Sequence, residues 1–140
     1  MTHPLQSTQT LTRFHLEVDA IEQDKLSSRL LEIRHQGEAL ENMPALQKKA
    51  DAFLARVQYL EDALKTVEQD EVREAIVLRS EAPEASEHSL AYYEVLLHKN
   101  GKTQLGRKQY HRGTGETEAV DFTLTDRLLE RLGKDLQALV

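Results

Sequence analysis

The residues best suited to binding chemistry form a basic segment in the second half of the chain. Between Val95 and Gly115 the sequence has five basic residues and no acid, although the whole chain has a net charge of −6. Lysine and arginine side chains bind phosphate groups or acidic protein surfaces, and a tyrosine ring can stack on a base. The candidate interaction residues of this segment are Lys99, Lys102, Arg107, Lys108, Tyr110 and Arg112.

The basic segment is predicted to fold as a β-hairpin. Asn100-Gly101 is the strongest short-range signal for a two-residue type I′ turn, so we place the turn within residues 98–103. A two-residue loop would bring Glu94 opposite Arg107 and pair an acid with a base. Lysines on an edge strand also protect a sheet from aggregation, so these charges have a structural interpretation besides binding.

The sequence lacks the common catalytic and metal-binding patterns. It has no cysteine, which excludes disulfides, thiolate metal sites and cysteine nucleophiles. No two histidines have the spacing of a zinc peptidase, and no serine lies in a Gly-x-Ser-x-Gly motif. His88, His98 and His111 could approach one another on a sheet, but the predicted alternation separates their faces.

We therefore assign no catalytic, metal-binding or cofactor-binding residue and expect no cofactor. An enzyme would need a pocket between the sheet and the helices that uses Glu94 or His98, and this stays a third hypothesis because a fold does not exclude catalysis. We favour a non-enzymatic function.

An apolar stripe with heptad spacing is a second candidate site. From Met43 to Val67, apolar residues recur every seven residues at two positions, as they do in the seam of a coiled coil. The stripe packs either on a second copy of the chain or on the first helix and the sheet, and we give the two about equal weight. The candidate seam residues are Leu46, Phe53, Val57, Leu60, Leu64 and Val67.

Several elements must position these two candidate sites. Alternating apolar and charged residues predict a strand within residues 10–20. Apolar residues at steps of three and four then predict a helix over about residues 23–41, and Pro44 separates this helix from the heptad helix. Together the two helices form a helical pair over residues 21–70, either folded back as a hairpin or continuing as a kinked rod.

Antiparallel strands over residues 71–124 and a C-terminal helix over residues 125–140 complete the prediction. The apolar run 75–78 is typical of a strand that is buried on both faces, and Thr125 is suited to cap the last helix. The predicted fold is a single α+β domain over residues 1–140. It combines a helical hairpin or kinked coiled-coil helices with a small antiparallel β-sheet and a C-terminal helix.

Our leading functional hypothesis is a protein-interaction or assembly protein of the adaptor or chaperone kind. It would form a homodimer, or bind a helical protein partner, through the heptad helix and present the basic hairpin to a partner. The alternative is a nucleic-acid-binding module in which residues 99–112 contact phosphates and Tyr110 stacks on a base.

Membrane insertion and secretion are not expected from the sequence. No apolar run approaches the roughly 18–20 residues that span a bilayer. Residues 1–10, which we expect to be a frayed polar tail, lack the basic and apolar regions of a secretory signal. We therefore expect a cytoplasmic protein that does not contact membranes.

Overall fold

A computed structural model of the protein describes residues 7–139, and these form an antiparallel sheet of ten strands with two helices. The strands are β1 (Gln9–Arg13), β2 (Leu16–Gln23), β3 (Ser27–Gln36), β4 (Leu64–Asp70), β5 (Ala75–Ser80), β6 (Glu84–Ala85), β7 (Ser89–His98), β8 (Lys102–His111), β9 (Thr117–Val120) and β10 (Phe122–Thr125). The helices are α1 (Met43–Arg56) and α2 (Asp126–Ala138). No helix in this described part of the chain is long and apolar enough to cross a membrane.

The seven main strands lie in the order β1-β2-β3-β8-β7-β5-β4. Strand β8 pairs with β3 through its first half and with β9 through its second half, while β10 pairs with the first half of β3. The short strands β9 and β10 therefore extend the sheet where β3 and β8 no longer pair with each other.

Both helices cover the same face of the sheet. Because side chains alternate between the faces of a strand, one set of residues from β2, β3, β5, β7, β8 and β10 points toward the helices and forms a single core with them. The helices contribute Leu46, Ala50, Phe53, Leu129, Leu132 and Leu136. We call the other side of the sheet, which neither helix covers, the open face.

The predicted helix over residues 23–41 is wrong, because residues 27–36 form strand β3. Its apolar residues have helical spacing because the pairing of β2 with β3 contains register shifts next to Ala20. Leu30 and Ile33 are three residues apart, yet both are buried in the core. An extra residue in a strand changes the alternation from two to three, which resembles one step along a helix.

The predicted coiled coil is also wrong, since the heptad stripe runs through a helix, a loop and a strand. Only residues 43–56 are helical, and residues 64–70 form strand β4 at the edge of the sheet. The predicted break before this helix is correct: Asn42 caps it, accepting a hydrogen bond from the Ala45 amide, and Pro44 lies in its first turn. The fold is α+β, but the sheet dominates it instead of a helical hairpin or kinked rod.

The predicted hairpin turn lies where expected but is one residue longer. Gly101 has a φ of +96° and its amide donates to the His98 carbonyl at 3.0 Å, which gives a three-residue loop. The register therefore shifts by one, so Arg107 lies opposite Tyr93 and not opposite Glu94. A one-residue shift exchanges the faces on which side chains meet, and this places Arg107 on the core side.

The ends of the chain are partly as predicted. The strand predicted within residues 10–20 is two strands joined at Phe14 and His15, and β1 begins at Gln9 inside the segment expected to be a tail. The last helix is confirmed over residues 126–138, with the Thr125 hydroxyl accepting from the Leu128 amide at 3.2 Å. Residues 1–6 and 140 lie outside the described residues.

Candidate functional site

The six seam residues do not form one surface. Leu46, Phe53, Val57 and Leu60 are buried in the core of their own chain, and Leu64 packs against that core. Val67 alone is well exposed, with 40% of its surface accessible, and it lies on the edge strand β4. A homodimer seam made of these six residues is therefore not available in the folded chain.

The basic segment does not present its six residues as a group either. Lys99 forms an ion pair with Glu74 beside the hairpin turn. Arg107 is only 8% exposed. Its guanidinium bonds to Asp62 at 3.4 Å and to Glu84 at 3.1 Å. Two of the six predicted binding residues therefore already have acidic partners within the chain.

Arg107 also stabilises the core. Its guanidinium lies 4.7 Å from the centre of the Tyr93 ring, within the range of a cation–π contact. Tyr93 in turn packs edge-on against Phe122, with 5.7 Å between ring centres. The charge that the sequence assigned to a binding surface therefore has a structural role.

The other four residues of the predicted basic site lie in two places. Lys102, Lys108 and Tyr110 share the open face because they alternate with the core residues of β8. Arg112 is exposed beyond the end of β8, where its amide bonds to the His88 carbonyl. The open face thus retains part of the predicted basic surface.

A groove on the open face brings aromatic and basic side chains together. We call it the tyrosine groove, and its volume is about 490 Å³. Its lining residues are Lys65, Val67, Arg79, Ser80, Glu81, Pro83, Leu90, Tyr92, Tyr110 and Thr117. Lys108 lies opposite Tyr92 in the register, so it adds a further cation beside the groove.

The tyrosine groove was not found from the sequence as a unit. Its members come from the edge strand β4, the central strands and the β5–β7 connection, and the sequence placed residues 64–70 in a helix. Arg79 lies over the Tyr92 ring at 5.6 Å and forms an ion pair with Glu94 at 2.8 Å. The charge of Arg79 is therefore partly neutralised, while Lys65 and Lys108 form no ion pair among the described residues.

The other half of the open face is a closed ionic network. Arg34 pairs with Glu17, Asp19 and Glu32 at distances of 2.7, 2.7 and 2.8 Å. The hydrogen bond from Arg34 lowers the pKa of Asp19 below its usual value, and those three carboxylates raise the pKa of Arg34. Gln104 then donates to Glu32 at 3.1 Å. With one arginine and three carboxylates, this network has an excess of negative charge, which does not favour an acidic partner on this half of the open face.

The residues proposed for an enzyme site do not lie between the sheet and the helices. Glu94 and His98 are on the open face, where Glu94 bonds to Arg79 and His98 Nε2 lies 2.8 Å from Gln104 Oε1. His88 and His111 line one cavity, but His98 is at the opposite end of β7. No group of three or more potential metal ligands occurs in the described residues.

A buried polar cluster on the helix side escaped the sequence reading. Lys49 of α1 is 6% exposed, His35 of β3 is 4% exposed and Thr103 of β8 is 1% exposed. Thr103 lies opposite His35 in the register. Burial lowers the pKa of both Lys49 and His35. This cluster could not be predicted, because residues 23–41 were expected to form a helix and Lys49 was expected on the solvated face of the heptad helix.

Comparison with known proteins finds no family model that matches the chain, and no match among curated proteins or solved structures. The surfaces and cavities described above therefore carry the functional inference.

Proposed function

We propose that the protein is a protein-binding module that holds an extended acidic segment of a partner in the tyrosine groove. The carrying observation is that Tyr92 and Tyr110 lie with Lys65, Arg79 and Lys108 on a sheet face that neither helix covers. Aromatic side chains and arginine are enriched at protein interfaces. Basic groups around them favour a partner segment of opposite charge.

An edge of the sheet lies beside the groove and supports an extended partner. Strand β4 is the last strand in the order of the sheet, and it contributes Lys65 and Val67 to the groove. The unpaired side of an edge strand can accept another strand through main-chain hydrogen bonds, with side-chain pockets giving specificity. The same peptide could thus pair with β4 and place its side chains near the tyrosines.

A nucleic acid is the second candidate occupant, and the two tyrosine rings favour it. Aromatic platforms flanked by cations bind single strands by stacking and phosphate contact. One feature supports a protein segment instead. Val67, Leu90 and Pro83 give the groove an apolar wall, which suits aliphatic and aromatic side chains better than a phosphate backbone.

Charge reversal at the groove tests this proposal. Fluorescence anisotropy would follow a labelled short peptide in which acidic residues alternate with aromatic and aliphatic ones. We expect Lys65→Glu combined with Lys108→Glu to weaken binding by about tenfold or more, because two opposite charges become like charges. The matched control is Lys25→Glu combined with Lys134→Glu, which makes the same change in net charge at exposed positions elsewhere.

Two outcomes would contradict the protein-binding proposal. One is equal peptide binding by the groove variant and the control variant. The other is failure of the peptide with strong, salt-sensitive binding of oligothymidylate, which would support the nucleic-acid alternative because phosphate contacts release counterions.

A further inference from the structure

We propose that a second site, between α1 and the C-terminal end of α2, binds a small organic carboxylate with an aliphatic tail. We call this cavity the helix groove. Its volume is about 390 Å³, within the roughly 300–1,000 Å³ of small-molecule sites. It lies on the opposite side of the sheet from the tyrosine groove, so the two proposals are independent.

The lining of the helix groove has one sign of charge. Lys48, Lys49 and Arg56 line it, and no carboxylate residue of the described chain does. Arg56 reaches Asp135 outside the lining at 3.6 Å, with half of its side chain exposed. An anionic ligand is therefore the complementary occupant.

Lys49 is the most informative of these cations. It is 6% exposed, and its Nζ has one hydrogen bond, to the Gly101 carbonyl at 3.5 Å. No carboxylate among the described residues forms an ion pair with it. Burying a charge without a counter-ion is costly, and burial accordingly lowers the pKa of Lys49. A bound carboxylate would supply the missing counter-ion.

Two further buried groups of this cluster lack hydrogen-bond partners within residues 7–139. They are His35 Nδ1 and Thr103 Oγ1. A methyl group added to Gly37 would lie 3.4 Å from Lys49 Nζ and 3.6 Å from His35 Cε1, so these two side chains border the same small space. Unsatisfied buried polar atoms are uncommon in native proteins and call for an explanation. Lys49 Nζ and the Thr103 hydroxyl can both donate to an anion.

The rest of the lining specifies an apolar tail and not a polyanion. It consists of Leu40, Ala45, Ala52, Ala138 and Leu139. Ala45 and Ala52 are seven residues apart, about two turns of α1, so their small side chains lie on the same side of the helix and leave a channel along it. A linear monocarboxylate would place its head at Lys49 and its tail along this channel, where burial of each methylene strengthens binding.

The test is calorimetric titration of the full chain with hexanoate and octanoate. We expect saturable binding that is stronger for octanoate, and a loss of about tenfold or more in Lys49→Met. This variant keeps an unbranched side chain but removes the charge, and it should fold because it replaces a buried amine with an apolar group of similar length. Ala52→Leu should also weaken binding, since it fills the channel while retaining Lys49. Lys134→Met, at an exposed site on α2, is the matched control and should bind as the original chain does.

Several results would overturn this proposal. Absence of saturable binding by both acids would do so, as would unchanged affinity in Lys49→Met. Equal binding of octylamine would reduce the interaction to apolar contact, and tighter binding of octyl phosphate would replace the carboxylate class with a phosphate. None of these results depends on the acidic peptide or on the tyrosine groove.

Discussion

Polar side chains occupy part of the layer between the sheet and the helices, where apolar residues usually pack. His35 Nε2 lies 3.3 Å from Gln137 Oε1, while Lys49 and Thr103 are buried beside it. Each such group lowers stability unless it is paired. Substituting one of these buried polar residues should therefore change the stability of the protein measurably.

The titration of His35 gives a pH-dependent stability. Burial is the largest cause that lowers its pKa from the usual 6.5, and the charges of Lys49 and His15 act in the same direction, while the hydrogen bond that His35 donates to Gln137 opposes them. The unfolded chain therefore binds a proton more readily than the folded chain. The folded protein is therefore most stable above the unfolded pKa of about 6.5, and it loses stability as the pH falls from there through the lower folded pKa.

We expect the urea midpoint to fall between about pH 7.5 and pH 5.5 because His35 must be protonated on unfolding. His35→Leu should reduce this fall. His88→Leu, at a side chain that is 86% exposed, should keep it. The same pH dependence in His35→Leu and the original chain would show that another group is responsible.

At the scale of elements, α2 is held close to the β1–β2 turn. Phe14 and His15 both have left-handed backbones, with φ of 53° and 67°, which is the conformation of a type I′ turn. Gly133 of α2 faces this turn, and a Cβ added there would lie 2.2 Å from the Phe14 carbonyl oxygen. The absence of a side chain at Gly133 lets the helix approach the backbone.

Gly133→Ala should destabilise the protein although alanine favours helices. The gain in helix propensity is about 1 kcal/mol, whereas overpacking against rigid backbone costs about 1–3 kcal/mol and requires the helix to move. Urea unfolding would measure the difference. Gly113→Ala is the control, because an added Cβ there meets nothing within 4 Å. A more stable Gly133→Ala variant would show that α2 does not pack this closely.

The elements that the sequence predicted correctly are those with local signals. Asn42 and Pro44 mark the start of α1, Thr125 marks the start of α2, and the hairpin turn is marked by Asn100-Gly101. These signals depend only on neighbouring backbone groups.

The errors came from patterns that several structures can produce. The bulge beside Leu30 and Ile33 gave strand β3 the spacing of a helix, and the heptad stripe continued beyond α1 by coincidence of spacing into a loop and an edge strand. The type of hairpin loop decided the face of Arg107, which is why part of the predicted basic site is buried. Lys49 is buried by contacts with residues of other elements, and such long-range contacts could not be predicted from the sequence pattern.

In the whole molecule, the two helices cover the apolar side chains on one face of the sheet and leave the other face open. Five of the six heptad seam residues pack within the core of their own chain, and Val67 is exposed on β4. On the open face, the Arg34 network has more carboxylates than cations, while the side near β4 has tyrosines and cations. The protein therefore presents two separate candidate sites, one on each side of the sheet.

The central claim is that the tyrosine groove is the surface that binds a protein partner. Titration of ¹⁵N-labelled protein with the acidic peptide, followed by amide chemical shifts, tests it most directly. We expect shift changes that concentrate on β4, β7 and β8 around Lys65, Tyr92, Lys108 and Tyr110, with α1 and α2 unchanged. Changes confined to the helices, or no changes at all, would contradict it.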